Sequence, residues 1–145
     1  MTDVITSQDI AEHIVNRGAA LLDQYTPDWF TRINVDTLAI ASASRCVLAQ
    51  SLGKIDIAES PFDHDYMHGL SRLRAILCDS GIETEWDFER NHGFMSTWIR
   101  RDSRALEGLD VSAIVFDSDG EIWLTGTLLT DAWKDAVIER QSVAV

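Results

Sequence analysis

The sequence predicts a mainly α chain: a small single-domain helical bundle over residues 1–145, with one C-terminal β-hairpin inserted at 111–125 and so formally α+β. Three observations carry that expectation. Apolar residues recur at helical spacing behind recognisable cap residues through most of the chain. The length and a 46% hydrophobic content suit one core that buries about two-thirds of the unfolded surface. Only "VSAIVFDSDGEIWLT" departs from the helical pattern, with β-branched and aromatic runs on either side of a turn closed by Gly120.

The first helix is expected to open at Thr6 or Ser7, with Thr6 and Asp9 at capping-box spacing, and to bury Ile10, Ile14, Gly18, Leu21 and Leu22. Gly18 within it costs about 1 kcal/mol relative to alanine, which predicts a neighbour packed closely against it. Thr26-Pro27 starts a short second helix carrying Trp29, Phe30 and Ile33, and a turn near Asp36 or Thr37 holds Leu38 and Ile40. Ser44 caps "RCVLAQSLG", which Gly53 ends. Ser60-Pro61 opens the next helix, with Asp63 completing a capping box and Phe62, Tyr66, Leu70, Leu73, Ile76 and Leu77 inward. "IETEWDFE" fits an alternating strand or an acidic helical turn equally well. A final helix, capped by Thr130, turns Leu129, Trp133, Ala136 and Val137 inward.

A net charge of −12 argues against direct binding to nucleic acid, which needs basic patches. The charge is spread, since residues 1–60, 61–110 and 111–145 each carry −4. Its simplest use is solubility. No apolar run is long enough for a membrane span, and the start lacks a basic-then-apolar leader. Cys46 and Cys78 lie on apolar faces, as buried reduced thiols of a cytoplasmic protein do.

"HDYMH" at 64–68 is the stretch nearest to a catalytic motif. His64 and His68, four apart on a helix, share a side as zinc ligands do. Both fall opposite the face centred on Leu73, however. His13 and His92, the other histidines, sit in no ligand motif, and Asp65 is a short general base. No metal and no cofactor is therefore expected. "DSDGE" at 117–121 is a turn and no calcium loop, because aligning its glycine puts Val115 and Gly126 at ligand positions. No phosphate-cradling, dinucleotide or nucleophile-elbow motif occurs.

Two charge features remain. Glu83, Glu85, Asp87 and Glu89 form an acidic stripe. On a strand its members would stand about 6.6–6.8 Å apart, comparable to backbone phosphates. "WIRRDSR" gathers Arg100, Arg101 and Arg104, which suit an acidic partner or pairing within the chain.

"RGAALLDQYTPDWFTRINVDTL" followed by "RCVLAQSLG" resembles small proteins of actinobacterial phages and their hosts. The matching residues are Gly18 to Asp23; Pro27, Trp29, Arg32 and Ile33; Cys46 to Gly53; Tyr66 and Gly69; and Gly93-Phe94. At the C-terminal end they are Leu129, Thr130, Ala132, Trp133, Val137 or Ile138, and Arg140. The chain departs at Ala49, where the family tends to glycine, and across roughly 97–127. In the family's terms "HDYMHG" supplies Tyr66 and Gly69, and the histidines match nothing. The resemblance implies no activity.

The expectation that follows is a non-enzymatic, cytoplasmic, phage-type or prophage-type protein that acts by binding a host or phage protein. Five tryptophans and the added hairpin motivate it. An unpaired hairpin edge can take a strand from another protein or from a second copy of the chain. Trp98, Arg100, Arg101, Arg104 and Trp123 are the expected contact residues, unless Trp123 packs on Trp133 and completes the core. Two alternatives stand beside this one: a DNA-mimicking inhibitor using the acidic stripe, and a metal-dependent hydrolase using HDYMH.

Overall fold

The structure, a computed structural model, describes residues 4–40, 46–47, 50–51 and 92–143. Helix α1 spans Ser7–Tyr25 and opens where the sequence predicts. Thr6 Oγ1 accepts from the Asp9 N–H at 3.1 Å, and the Asp9 carboxylate accepts from the Thr6 N–H at 2.9 Å. This reciprocal box answers amide groups that a helix start leaves open. It also holds the Asp9 carboxyl below its ordinary range, through the Thr6 backbone bond first and the bond with the Thr6 side chain second. Ile10, Ile14, Gly18, Leu21 and Leu22 all face the core.

Helix α2 spans Gly126–Val143 and packs along α1. It starts before the expected cap. Thr125 Oγ1 accepts from the Leu128 N–H at 3.1 Å, while Thr130 Oγ1 accepts from the Ile40 N–H at 3.0 Å. Thr130 thus pins a loop, and its upstream neighbour caps the helix. Leu129, Trp133, Ala136 and Val137 are buried as their spacing predicts.

At Gly18 a side chain of α2 and the backbone of His92 press directly on α1. A methyl there would overlap the His92 carbonyl oxygen and lie 2.9 Å from Trp133 Cζ2. The glycine is the condition for this crossing, and its helix-propensity penalty is offset by packing. Trp133 also stacks on Phe94 with ring centroids 5.3 Å apart, meets Trp29 edge-on at 5.7 Å, and donates its Nε1–H to the Gly93 carbonyl at 2.6 Å. Trp29–Arg32 forms a 3-10 turn, with Trp29 and Ile33 buried and Phe30 partly so. Leu38, Ile40, Cys46 and Val47 complete this side of the core.

The sequence expectation of a mainly helical bundle is overturned. The described residues form an α+β arrangement, two helices and a two-stranded antiparallel sheet, and not a mainly α bundle. The hairpin expected at 111–125 also does not form. Strand β1 is Thr97–Arg100, strand β2 is Glu121–Leu124, and they pair with each other. "VSAIVF" takes another path because Asp110 Oδ1 accepts from the Ser112 N–H at 3.1 Å and starts a 3-10 turn over Val111–Ala113. A local side-chain bond of this kind competes with a strand ladder. Ile114 beyond it makes a single parallel bridge to Ile5.

The turn itself is where the sequence puts it. Gly120 has φ 74°, a left-handed conformation glycine adopts without strain, and Asp117 Oδ1 accepts from the Asp119 and Glu121 N–H groups. Residues 101–120 form the long connection between the strands, and α1 holds it. Arg17 Nη1 donates to the Arg104 carbonyl at 2.5 Å, and His13 Nε2 lies 2.7 Å from the Glu107 carbonyl. No helix among the described residues is long and apolar enough to cross a membrane.

Candidate functional site

Strand β1 alternates cleanly: Thr97 and Ile99 are buried, Trp98 and Arg100 exposed. Its register with β2 pairs Thr97 with Leu124, Trp98 with Trp123, Ile99 with Ile122 and Arg100 with Glu121. Directly opposed residues in an antiparallel pair share a side of the sheet. One side therefore turns Ile99 and Leu124 into the core. The other presents two indoles and, one step along, an arginine and a glutamate.

Trp98 is 52% exposed and Trp123 42% exposed, with ring centroids 5.1 Å apart and planes tilted by 49°. Met95, Ser96, Thr97, Trp98, Arg100, Glu121 and Trp123 line a shallow hollow of about 400 Å³ on this face. Trp123 does not complete the core on Trp133, the alternative use expected for it: its ring partner is Trp98.

The structure brings together Trp98, Trp123 and Arg100 of the five expected contact residues. Arg101 is elsewhere engaged, its guanidinium 5.0 Å above the Phe116 ring. Arg104 belongs to the 3-10 turn Arg104–Leu106 in the connection. The acidic stripe Glu83, Glu85, Asp87 and Glu89 lies outside the described residues, as do His64, Asp65 and His68 of HDYMH. Among the described residues no group of three or more His, Cys, Asp or Glu side chains is placed to hold a metal ion.

Glu121 is the member of this face that the sequence reading missed. A signal for it exists: "EIWL" read backwards is L-W-I-E, whose last three residues match the last three of "TWIR" in polarity. Matching two strands in opposite directions would have found both the pairing and the Arg100–Glu121 opposition.

A second hollow, of about 560 Å³, lies between the ends of α1 and α2 and is lined by Asn16, Asp23, Phe30, Glu139, Arg140 and Val143. Two of its charges, Asp23 and Arg140, are already engaged with each other. Arg140 grips the Asp23 carboxylate with Nε at 3.0 Å and Nη2 at 2.8 Å, and Trp29 Nε1–H donates to the same carboxylate at 2.9 Å. The Arg140 bond, more than the Trp29 bond, holds the Asp23 carboxyl below its usual range against the opposing effect of burial. Arg140 rises in turn, chiefly through its bond to Asp23. This hollow is a structural clamp, and the exposed indole face is the better candidate for an external partner. Comparison with protein-family models, with curated proteins and with solved structures found no match.

Proposed function

We propose that the chain is a small acidic accessory protein of phage or prophage type, working in the cytoplasm by binding protein and not by transforming a substrate. Its contact face is the outer side of the sheet, with Trp98 and Trp123 at the centre and Arg100 and Glu121 beside them. The observation that carries this reading is the half-exposed indole pair. Tryptophan and arginine are enriched among the few residues that dominate protein contacts, and the unburied indole area is hydrophobic area available for burial. The position of the pair on a strand packed against the core also keeps it pre-organised, which reduces the ordering cost of docking.

The test is affinity capture from actinobacterial cells that express two differently tagged copies of the chain, after nuclease treatment and with mass-spectrometric readout. A protein, second copy included, retained by the natural chain and lost by the Trp98→Ala/Trp123→Ala variant is the expected result. Identical captured sets from both chains would overturn the assignment of this face. A DNA-binding enzyme captured by both, and lost only when Glu83, Glu85, Asp87 and Glu89 are neutralised together, would also overturn it and move the contact to the acidic stripe.

A further inference from the structure

The geometry points to a specific occupant for this face: we propose that it docks on the same face of a second copy of the chain, about a two-fold axis parallel to the strands. The inference rests on the reading of the Trp98–Trp123 face as a protein contact and names the partner.

The face is complementary to itself. Trp98 stands opposite Trp123, and one outward step along, Arg100 stands opposite Glu121. Consider two such faces brought together about an axis lying between them and running along the strands. The operation sets β1 of one copy over β2 of the other without shifting levels. Trp98 then covers the partner's Trp123, and Trp123 covers the partner's Trp98. At the next level Arg100 meets the partner's Glu121, and Glu121 meets the partner's Arg100. An axis across the strands would reverse the order of levels and remove both charge pairings. Only the first operation satisfies all four residues at once, as an isologous contact requires.

The charges are available for this use. Arg100 and Glu121 face each other in register, yet no ion pair or hydrogen bond ties their side chains to each other or to another described residue. Opposite charges of equal number on one face are wasteful toward a uniformly acidic or basic partner, and fully used against a copy of the same face. The chain carries a net charge of −12, so two copies repel in orientations that bring no opposite charges together. The face is only four residues long on each strand. That extent places the contact in the small, transient class, with a dissociation constant expected on the order of 0.1 mM.

Sedimentation velocity of the purified full chain, across a concentration series spanning that value, tests the proposal. The natural chain is expected to pass from monomer to dimer, and Trp98→Ala/Trp123→Ala to remain monomeric. Arg100→Glu and Glu121→Arg should each weaken association at least tenfold when alone. Mixed in equal amounts they should associate again, because one chain then presents two acids and the other two bases. Circular dichroism checks that each variant is folded. Should a charge reversal unfold the chain, Arg100→Gln and a salt titration of the natural chain replace it, with added salt expected to weaken the dimer.

A natural chain that stays monomeric throughout overturns the proposal. So does a dimer indifferent to the reversals, or a mixture that does not recover. A monomer that still captures another protein through its tryptophans would leave the contact face standing and remove only the second copy as its partner.

Discussion

Two tryptophan pairs in this molecule have nearly the same ring spacing and opposite fates. Trp29 and Trp133 lie 5.7 Å apart between the helices, with no exposed surface, and each ring N–H is answered, by Asp23 and by the Gly93 carbonyl. Trp98 and Trp123 lie 5.1 Å apart on the sheet and stay half exposed, and among the described residues no acceptor meets either ring N–H. A buried indole needs a partner for its one polar atom, whereas an exposed one has water. The first pair is committed to holding the chain together, and the second is uncommitted.

Substitution should separate the pairs by energy. Removing the core indole has the largest expected effect: Trp133→Ala should cost about 3–5 kcal/mol, seen as a large drop in the urea midpoint or outright loss of folding. A change under 1 kcal/mol would break the distinction between the pairs.

The clamp beneath Trp29 comes next. Asp23→Asn keeps an oxygen for the indole but loses the ion pair to Arg140, which, discounted for its partial exposure, should cost about 1 kcal/mol. Because the folded state lowers the Asp23 pKa, this stabilisation is complete above the unfolded carboxyl value and disappears as pH falls through the folded one. The stability gap between natural and variant chains should therefore narrow as pH falls below about 4. A gap that widens in acid would show that Arg140 is not the group holding the carboxyl down.

The smallest effect belongs to the sheet. Trp98→Ala should cost no more than about 1 kcal/mol, the scale of a cross-strand pair. Fluorescence should lose a solvent-exposed component while the urea midpoint barely moves. A cost comparable to that of Trp133→Ala would reassign Trp98 to the core.

The legible and illegible parts of this fold divide along physical lines. Periodicity and caps are local, so α1 with its Thr6–Asp9 box, the close approach at Gly18 and the inward residues of α2 could all be read directly. The resemblance-bearing residues Asp23, Trp29, Trp133 and Arg140 turn out to touch one another. In this structure these four residues form one packing arrangement.

Strand pairing is non-local, and there the reading failed. Val111 to Phe116 has the right composition for a strand, but the Asp110 side chain diverts it into a turn, and β2 finds its partner beyond a twenty-residue connection. The start of α2 was misplaced for a related reason. Two threonines five apart are equal as caps in sequence, and only the loop at Ile40 decides which one is occupied elsewhere. Of the contact face, both tryptophans and Arg100 were found by residue type. Glu121 was missed because its significance depends on what stands opposite.

The packing of α1 on α2 has a consequence for biogenesis. The Asp23–Arg140 clamp joins positions 117 apart, and Trp133 closes on Gly18 from the same helix. During translation the amphipathic α1 is made before α2, its main neighbour among the described residues, and roughly a hundred residues are polymerised between them. Contacts of such long sequence separation form late, because the intervening chain must be drawn in before they stabilise anything. The contacts between α1 and α2 thus form only after Trp133 has left the ribosome, and until then the apolar side of α1 is a ready substrate for a holdase chaperone.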